Sequence, residues 1–249
     1  MDVTFLGTGS AMPTPGRMQS GLLVADGERS LLVDCGSGVL NRLAGTDPGY
    51  EGTATVLVSH HHLDHVADLL PLLKARWLAG EEHLEVVGPA GTKALLDGLC
   101  SVHDYLAGRV DLQVREVVAG ETFDAGGFTV ESRATRHSMD GLAYRLSADP
   151  AGPTVADTGD TEAFEAMARF VAGCRVVVHD CSFPDGVDVS GHPTPSQLGA
   201  AFADSDVDRL YLTHLYPHTE GHHDEMRAAV SAAFDGEVHV ARDGLRVEL

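Results

Sequence analysis

Short apolar runs recur along the chain, separated by Gly, Asp and Pro residues that are typical of turns. Most of these runs are four to six residues long and rich in Val, Leu and Phe. Runs of that length and composition favour β-strands. We predict strands at residues 3–7, 30–34, 55–59, 84–88, 128–132, 154–158, 175–180, 209–214 and 238–241.

Longer stretches between several of these runs have the character of helices. Thr194 is a suitable N-cap and Pro195 a suitable first helical residue, which predicts where one helix starts. The early strands follow one another as hairpins and the later ones alternate with helices, so the order predicts sheets covered by helices on their outer faces. The predicted helices cover residues 65–79, 91–101, 162–172, 195–204 and 224–234.

Nothing in the sequence divides the chain. No linker rich in Pro and Ser and no charged run interrupts the 249 residues, so we expect one domain, residues 1–249, built from two similar halves. The start lacks a basic segment followed by a long apolar one, and no apolar run approaches the ~20 residues of a membrane span. The four cysteines are scattered and form no C-x-x-C pair. We therefore expect a soluble cytoplasmic protein.

The formal net charge of −20 comes from 37 acidic and 17 basic residues, of which only Lys74 and Lys93 are lysines. Such a charge repels polyanions at ordinary ionic strength. A large acid excess with almost no lysine also suits a halophilic source, where concentrated salt shortens the Debye length to a few ångströms. The charge therefore has two interpretations, one concerning the substrate and one concerning the solvent.

One short loop concentrates side chains that bind metals. Residues 60–65, HHHLDH, hold four histidines and an aspartate between a predicted strand and a predicted helix. His60 and His62 alternate along an extended segment and can point the same way, while Asp64 and His65 fall on the turn into the helix. The loop therefore offers ligands for two metal ions, and we expect His61 to be a bystander.

Further ligands are available at other strand ends, namely His137, Asp160 and His214. Each alone is more often an ordinary surface or capping residue. With the first loop they make five histidines and two aspartates, enough for two metal ions that keep open positions for water and substrate.

These landmarks resemble the metallo-β-lactamase superfamily, whose H-x-H-x-D-H signature stands here as His60-x-His62-x-Asp64-His65. Within it the chain is most similar to the ribonuclease Z branch and its phosphodiesterase relatives. The supporting segments are FLGTGSAMPTPGR (5–17), LVDCG (32–36), HSMDGLAYR (137–145), TGDT (158–161) and LTHLYP (212–217). The resemblance implies a four-layer αββα sandwich of the α/β class.

The resemblance also implies a ligand set. His60, His62 and His137 would hold one ion, Asp64, His65 and His214 the other, and Asp160 would bridge them. Zinc is the expected metal, although nitrogen and oxygen ligands also accept manganese or iron. Asp34, at a strand end, would orient a ligating imidazole. Ser10 and Thr14, in a glycine-rich turn, are candidates for contacting a substrate phosphate.

A second pair of motifs, HDCSF (179–183) and GHPT (191–194), resembles the H-E-A-T and H-S-T pair of the branch, in which an acid and a histidine assist proton transfer. The acid here is Asp180, one methylene shorter than Glu, so its reach to the same partner is in doubt. His192 keeps its place as a candidate general acid for the leaving oxygen. The predicted catalytic residues are therefore Asp64, Asp180 and His192.

The implied reaction is attack of a metal-bridged hydroxide on the phosphorus of a phosphodiester. The substrate is either precursor tRNA or a small or cyclic nucleotide, because His137 and Asp160 lie only 23 positions apart and leave no room for the tRNA-gripping arm of the branch. The alternatives are hydrolysis at a carbonyl centre, as in a lactone, thioester or β-lactam, and a non-catalytic metal-binding protein. The branch also implies a homodimer.

The charge generates a first prediction about stability. If the acid excess is an adaptation to salt, the thermal unfolding midpoint should rise steeply from 0.1 M to multimolar KCl, because salt screens repulsion among the carboxylates. Circular dichroism melts across a KCl series measure this. A midpoint that stays constant or falls would reject the halophilic interpretation.

Overall fold

The computed structural model describes residues 1–187 and 189–249. It contains two seven-stranded sheets. The first sheet consists of β1 (Asp2–Gly7), β2 (Gly21–Asp26), β3 (Arg29–Val33), β4 (Thr55–Leu57), β5 (His83–Gly88), β6 (Asp111–Glu116) and the last strand of the chain, β14 (Arg246–Glu248). The second consists of β7 (Thr122–Ala125), β8 (Phe128–Ala134), β9 (Leu142–Ser147), β10 (Thr154–Asp157), β11 (Val176–Asp180), β12 (Arg209–Thr213) and β13 (Glu237–Val240).

Helices connect many of the strands. Those of the first half are α1 (Val39–Leu43), α2 (Gly49–Gly52), α3 (Leu63–Val66), α4 (Leu69–Ala79) and α5 (Thr92–Val102). Those of the second half are α6 (Glu165–Phe170), α7 (Pro195–Ala201) and α8 (His223–Ser231). Short 3-10 turns occur at Asp104–Leu106 and Pro217–Thr219.

The two sheets repeat the same pattern strand by strand. In the order β14-β1-β2-β3-β4-β5-β6, the first three pairings are antiparallel and the last three are parallel. The order β7-β8-β9-β10-β11-β12-β13 shows the same sequence of pairings. The half-repeat suspected from the sequence is therefore present in the topology, with β4 corresponding to β11 and β5 to β12.

Three apolar cores separate four layers. The core between the sheets takes alternate residues of both, such as Val33 from β3 and Val178 from β11. Their sequence neighbours point outward: Leu32 packs with α4, and Val177 packs with the helices of the second half. Full burial of each such side chain contributes about 1.5–3 kcal/mol. The predicted αββα sandwich is confirmed.

Most predicted elements are present, with ends shifted by a few residues. Five strands, β2, β6, β7, β9 and β14, lie outside the nine predicted runs. The polar sequence DLQVRE of β6 and the three residues of β14 explain two of these omissions, because edge strands bury little apolar surface. The predicted start of α7 is confirmed, since Thr194 caps it in a capping box with Gln197 and Pro195 is its first residue.

The predicted helix over 65–79 is wrong in its bounds. The structure has two helices there, α3 and α4, separated by Ala67 and Asp68. Pro71 lacks the N–H that would bond to the Ala67 carbonyl, so it is tolerated only in the first turn of a new helix. The Asp68 carboxylate instead accepts hydrogen bonds from the backbone N–H groups of Gly38 and Leu40, at 2.9 and 3.0 Å, next to α1.

The loops after β3, β4, β10, β11 and β12 converge at one edge of the sandwich. Among the residues that the structure describes, the non-glycine residues with positive φ are Asp34 (59°), directly after β3, and His214 (57°), directly after β12. Left-handed backbone costs about 1–3 kcal/mol in such residues and concentrates at functional sites. Within residues 1–187 and 189–249, no helix is long and apolar enough to cross a membrane.

Gly36 generates a prediction about this edge. A Cβ at Gly36 would lie 2.0 Å from the carbonyl oxygen of Asp64. Gly36→Ala should therefore displace the loop 60–65 and destabilise the protein by about 1–3 kcal/mol. The matched control is Gly98→Ala on the exposed side of α5, where nothing lies within 4 Å of the new Cβ. That variant should gain about 0.5–1 kcal/mol. Urea unfolding measures both, and equal effects would contradict the predicted collision.

Candidate metal centre

Backbone hydrogen bonds fix the position of the loop 60–65. The carbonyl of Asp64 accepts a hydrogen bond from the Ser20 N–H (3.1 Å), and the carbonyl of His65 accepts one from the Cys35 N–H (2.8 Å). His62 occupies the N-cap position of α3 in extended conformation. The first turn of α3 then carries Asp64 and His65 inward, where both are buried.

Three histidines bring ring nitrogens together at one point. The Nδ1 atom of His62 lies 2.9 Å from Nε2 of His60 and 3.2 Å from Nε2 of His137. The Asp160 Oδ2 atom lies 3.7 Å from Nε2 of His60 and 3.8 Å from Nε2 of His137. Neighbouring ligands of a tetrahedral ion are about 3.4 Å apart when each bond is 2.0–2.2 Å, so this set fits a metal ion.

A second group lies on the other side of Asp160. The Asp64 Oδ2 atom is 3.1 Å from Nε2 of His214 and 3.8 Å from Nε2 of His65. Asp160 reaches the same two histidines, with Oδ1 3.4 Å from Nε2 of His65 and Oδ2 3.3 Å from Nε2 of His214. The carboxylate of Asp160 thus contacts ligand atoms of both groups.

Four of the five candidate ligand histidines have Nδ1, the ring nitrogen that faces away from the cluster, within hydrogen-bond distance of another protein group. His65 Nδ1 lies 2.6 Å from Asp34 Oδ2, as predicted, and His137 Nδ1 lies 3.1 Å from the Gly191 carbonyl. The remaining pairs are His60 Nδ1 with Ser59 Oγ at 3.0 Å and His214 Nδ1 with Ser182 Oγ at 2.9 Å. In a neutral imidazole such a partner fixes the proton on Nδ1 and leaves Nε2 as a lone pair, which is how proteins orient metal-ligating histidines.

The electrostatics of the cluster also suit a cation. Burial, together with the nearby His65, lowers the pKa of His60 to about 2, which keeps its imidazole in the neutral, metal-binding form. Burial opposes the ionised form of Asp64, but the His214 hydrogen bond and the charge of His65 outweigh it and lower the pKa of Asp64 to about 2. The site therefore holds the ionised Asp64 carboxylate beside the neutral His60 imidazole.

His65 carries the compensating charge in the protein chain itself. Burial lowers its pKa, but Asp160 and Asp34 outweigh that effect and raise the pKa well above the usual value. A divalent ion supplies the same positive charge to the two carboxylates, Asp64 and Asp160, that face the cluster. The donor set thus fits divalent metal ions.

Asp180 reaches its predicted partner despite the shorter side chain. Its Oδ2 atom lies 2.6 Å from Nδ1 of His192, and both residues are buried. The ring of His192 stacks on that of His214 with centroids 5.5 Å apart. Burial lowers the pKa of His192, but the hydrogen bond and charge of Asp180 outweigh it and raise the pKa. A raised pKa favours the protonated imidazole, which is the form that acts as a general acid.

An open cleft adjoins His192 on the rim of the centre. Its volume is about 470 Å³, in the range of small-molecule sites. The cleft is lined, besides His192, by Glu162, Ala163, Val189, Ser190 and Gln197. A group leaving from the reacting centre next to His192 has room here.

Other sequence predictions have mixed outcomes. His61 lies apart from both ligand groups and its Nε2 contacts Thr92 Oγ1 at 2.8 Å, as expected of a bystander. Ser10 and Thr14 are buried, and their hydroxyls have no hydrogen-bond partner among the described residues. Their contact with a phosphate stays a prediction.

Ser59 and Ser182 were not identified from the sequence, although each contacts the outer nitrogen of a candidate ligand. Serine is common at strand ends and has no diagnostic spacing. A usable signal exists in hindsight: each serine lies within two residues of a strand end that precedes or carries a candidate motif.

Comparisons with known proteins agree with this geometry. The profile of the beta-lactamase superfamily domain matches residues 29–215. Ribonuclease Z of Mycobacterium bovis (strain BCG / Pasteur 1173P2) is 31% identical over 277 aligned positions, which cover 100% of this chain and 98% of that protein. Ribonuclease Z of Mycobacterium avium (strain 104) is 32% identical over 275 positions, with 100% and 98% covered.

Among solved structures, the metallo-beta-lactamase fold protein YhfI from Bacillus subtilis superimposes with a TM-score of 0.85 at 29% sequence identity, covering 100% of this chain and 99% of that chain. The chain belongs to the metallo-β-lactamase superfamily, within its ribonuclease Z-like branch. It is a metal-dependent hydrolase.

Two adjacent histidines allow a matched test of metal binding. His62→Ala removes a ring nitrogen from the first ligand group, whereas His61→Ala removes one that faces Thr92. We expect His62→Ala to weaken metal binding by more than the 10–100-fold typical of losing a supporting hydrogen bond, and His61→Ala to retain the wild-type metal content. Elemental analysis after gel filtration measures both. Equal metal content in the two variants would contradict the assigned geometry.

Proposed function

We propose that the protein is a dinuclear metal-dependent phosphodiesterase similar to ribonuclease Z. His60, His62 and His137 would hold one ion, Asp64, His65 and His214 would hold the other, and Asp160 would be a shared ligand. Zinc is the proposed metal, with manganese and iron as chemically acceptable substitutes. When bound, the two ions activate water and neutralise charge that develops on the phosphoryl oxygens.

The observation that carries the proposal is the Asp180–His192 pair beside the metal ligands. An alkoxide leaving from phosphorus is a strong base and needs a proton, whereas the thiolate leaving from a thioester does not. Nδ1 of His192 is bonded to Asp180 at 2.6 Å, so the proton available for transfer is the one on Nε2. Asp180 keeps the imidazole oriented and stabilises its protonated form. Asp64 contributes through its place in the second ligand group.

Two observations bear on the size of the substrate, in opposite directions. The relatives named ribonuclease Z support an RNA phosphodiester. Between His137 and Asp160, however, the chain forms the antiparallel hairpin of β9 and β10, which are joined by residues 148–153. This short hairpin and the net charge of −20 support a small or cyclic nucleotide. We therefore propose both as candidate substrates, and a competition experiment between them identifies which one the protein prefers.

The remaining expectations stay proposals. We propose that residues 1–249 act as one domain, because the core between the sheets draws residues from both halves. A cytoplasmic location, a homodimer and a halophilic source are predictions from the sequence and from the family resemblance. Gel filtration with light scattering tests the homodimer directly.

The role of His192 generates the next prediction. p-Nitrophenolate is stable as an anion and leaves without a proton, whereas the alkoxide of a cyclic nucleotide or of RNA does not. His192→Ala should therefore lower turnover of bis-p-nitrophenyl phosphate by less than about tenfold and that of alkyl phosphodiesters by about 10²–10⁴-fold, the usual contribution of a general acid. His103→Ala, an exposed histidine in another part of the fold, is the control.

Each outcome of that experiment has a definite meaning. An equal loss on aryl and alkyl esters would contradict the assigned proton transfer. No turnover of any phosphodiester by folded, metal-loaded protein, at low or multimolar KCl, would overturn the proposed function and favour a carbonyl-centre substrate. If phosphodiesters are cleaved, mutual inhibition between precursor tRNA and cyclic nucleotides identifies the preferred class.

A further inference from the structure

Ser182 lies fully buried between the Asp180–His192 pair and the second ligand group. Its hydroxyl oxygen is 2.6 Å from Oδ1 of Asp180 and 2.9 Å from Nδ1 of His214. It is also 3.0 Å from the His214 carbonyl oxygen and 3.2 Å from Nδ1 of His192. One hydroxyl thus touches three side chains with predicted roles in metal binding or proton transfer.

The hydrogen-bonding capacity of a hydroxyl decides which of these contacts form. Ser182 has one proton and two lone pairs. The carboxylate of Asp180 is the closest acceptor and carries charge, so it takes that proton. The Ser182 oxygen is then free to accept, and Nδ1 of His214 is its nearest donor. His192 has a shorter bond of its own, 2.6 Å, to the other oxygen of Asp180.

This arrangement fixes the form of His214. In the metal-bound form, a proton on Nδ1 would leave Nε2 of His214 as a lone pair for an ion held beside Asp64 and Asp160. The backbone of His214 is in the left-handed region, which a histidine adopts only when its surroundings hold it there. Backbone bonds from Cys181 N–H to the Thr213 carbonyl (3.0 Å) and from Tyr216 N–H to the Ser182 carbonyl (3.3 Å) keep the serine alongside it.

The first half of the molecule contains the same arrangement of a serine between a carboxylate and a histidine. Ser59 lies two residues beyond the end of β4, and Ser182 two residues beyond the end of β11, the corresponding strand of the second half. Ser59 donates to Oδ2 of Asp34 at 2.7 Å and is 3.0 Å from Nδ1 of His60. In each half a serine therefore joins a buried carboxylate to a histidine of the metal centre.

We propose that Ser182 is a positioning residue that joins Asp180 to His214, so that one carboxylate orients both the leaving-group histidine and a ligand of the second metal ion. The proposal rests on the metal centre and the acid assigned above, and it adds a link between them. Without the hydroxyl, His214 loses its acceptor and Asp180 loses its connection to the second ligand group. Loss of such an outer partner typically costs 10–100-fold in metal affinity.

The test compares three variants of the metal-loaded protein. Ser182→Ala removes the hydroxyl, and Ser182→Thr keeps it. Ser132→Ala is the matched control, because Ser132, in β8, is also buried and hydrogen-bonded, but to the carbonyls of Val118 and Glu121 in the loop before β7. Chelator competition measures the affinity of the more weakly held zinc ion. Long-range ¹H–¹⁵N spectra of the imidazoles report whether the His214 Nδ1 proton is bonded and protected from exchange.

We expect the weaker zinc site of Ser182→Ala to lose 10–100-fold in affinity and the His214 proton to exchange rapidly with water, while Ser182→Thr and Ser132→Ala match the wild type. Wild-type affinity and a protected proton in Ser182→Ala would overturn the proposal. If Ser182→Ala does not fold, the wild-type spectrum alone decides, since an unprotected His214 Nδ1 proton there is equally incompatible with it. These readouts need no substrate, so a failure of the proposed phosphodiesterase activity is distinguishable from a failure of this link.

Discussion

The rest of the site depends on one buried carboxylate, that of Asp160, which lies against histidine nitrogens of both ligand groups at 3.3–3.8 Å. A carboxylate in this position, close to that of Asp64, cannot stay ionised without positive charge beside it. His65 supplies such charge within the chain, and divalent ions supply it when bound. Metal binding and the local integrity of the fold are therefore expected to be linked.

The repeated topology explains why a carboxylate, a serine and histidines recur around the centre. Parallel strands place their carboxyl ends at one edge of each sheet, and two stacked sheets bring two such edges together. Asp34 follows β3 and Asp160 lies three residues after β10, the corresponding strands of the two halves. The Asp34 carboxylate supports His65, and the Asp160 carboxylate contacts atoms of both candidate ligand groups. The two halves thus place carboxylates at the same edge, one directly after its strand and the other three residues beyond it.

Much of this could be predicted from the sequence, because the informative residues are close together in the chain. The loop 60–65 and the strand ends at Asp160 and His214 were sufficient to predict which side chains would meet, and the structure brings them together. The links through Ser59 and Ser182 could not be predicted, since Ser182 and His214 are 32 positions apart and a hydroxyl contact leaves no pattern. The contact between Asp180 and His192 could not be predicted either, because it depends on how the loops that carry these two residues are placed relative to each other. Pro71 indicates a break between α3 and α4. Recognising the break also required the hydrogen bonds that the Asp68 carboxylate accepts from Gly38 and Leu40, which the sequence does not show.

The contrast between local and overall charge limits which substrates suit this centre. The whole chain carries −20, but the Debye length of about 8 Å at physiological ionic strength confines each surface charge to its own neighbourhood. A small phosphodiester bound at the candidate metal centre would therefore experience mainly the charges of that centre, whereas a long RNA would also experience the net negative charge of the rest of the protein. The penalty for RNA grows with the number of phosphates that approach that surface and falls as salt is added. For the proposed phosphodiesterase we therefore expect small substrates to be accepted at any ionic strength and long ones chiefly where salt is concentrated.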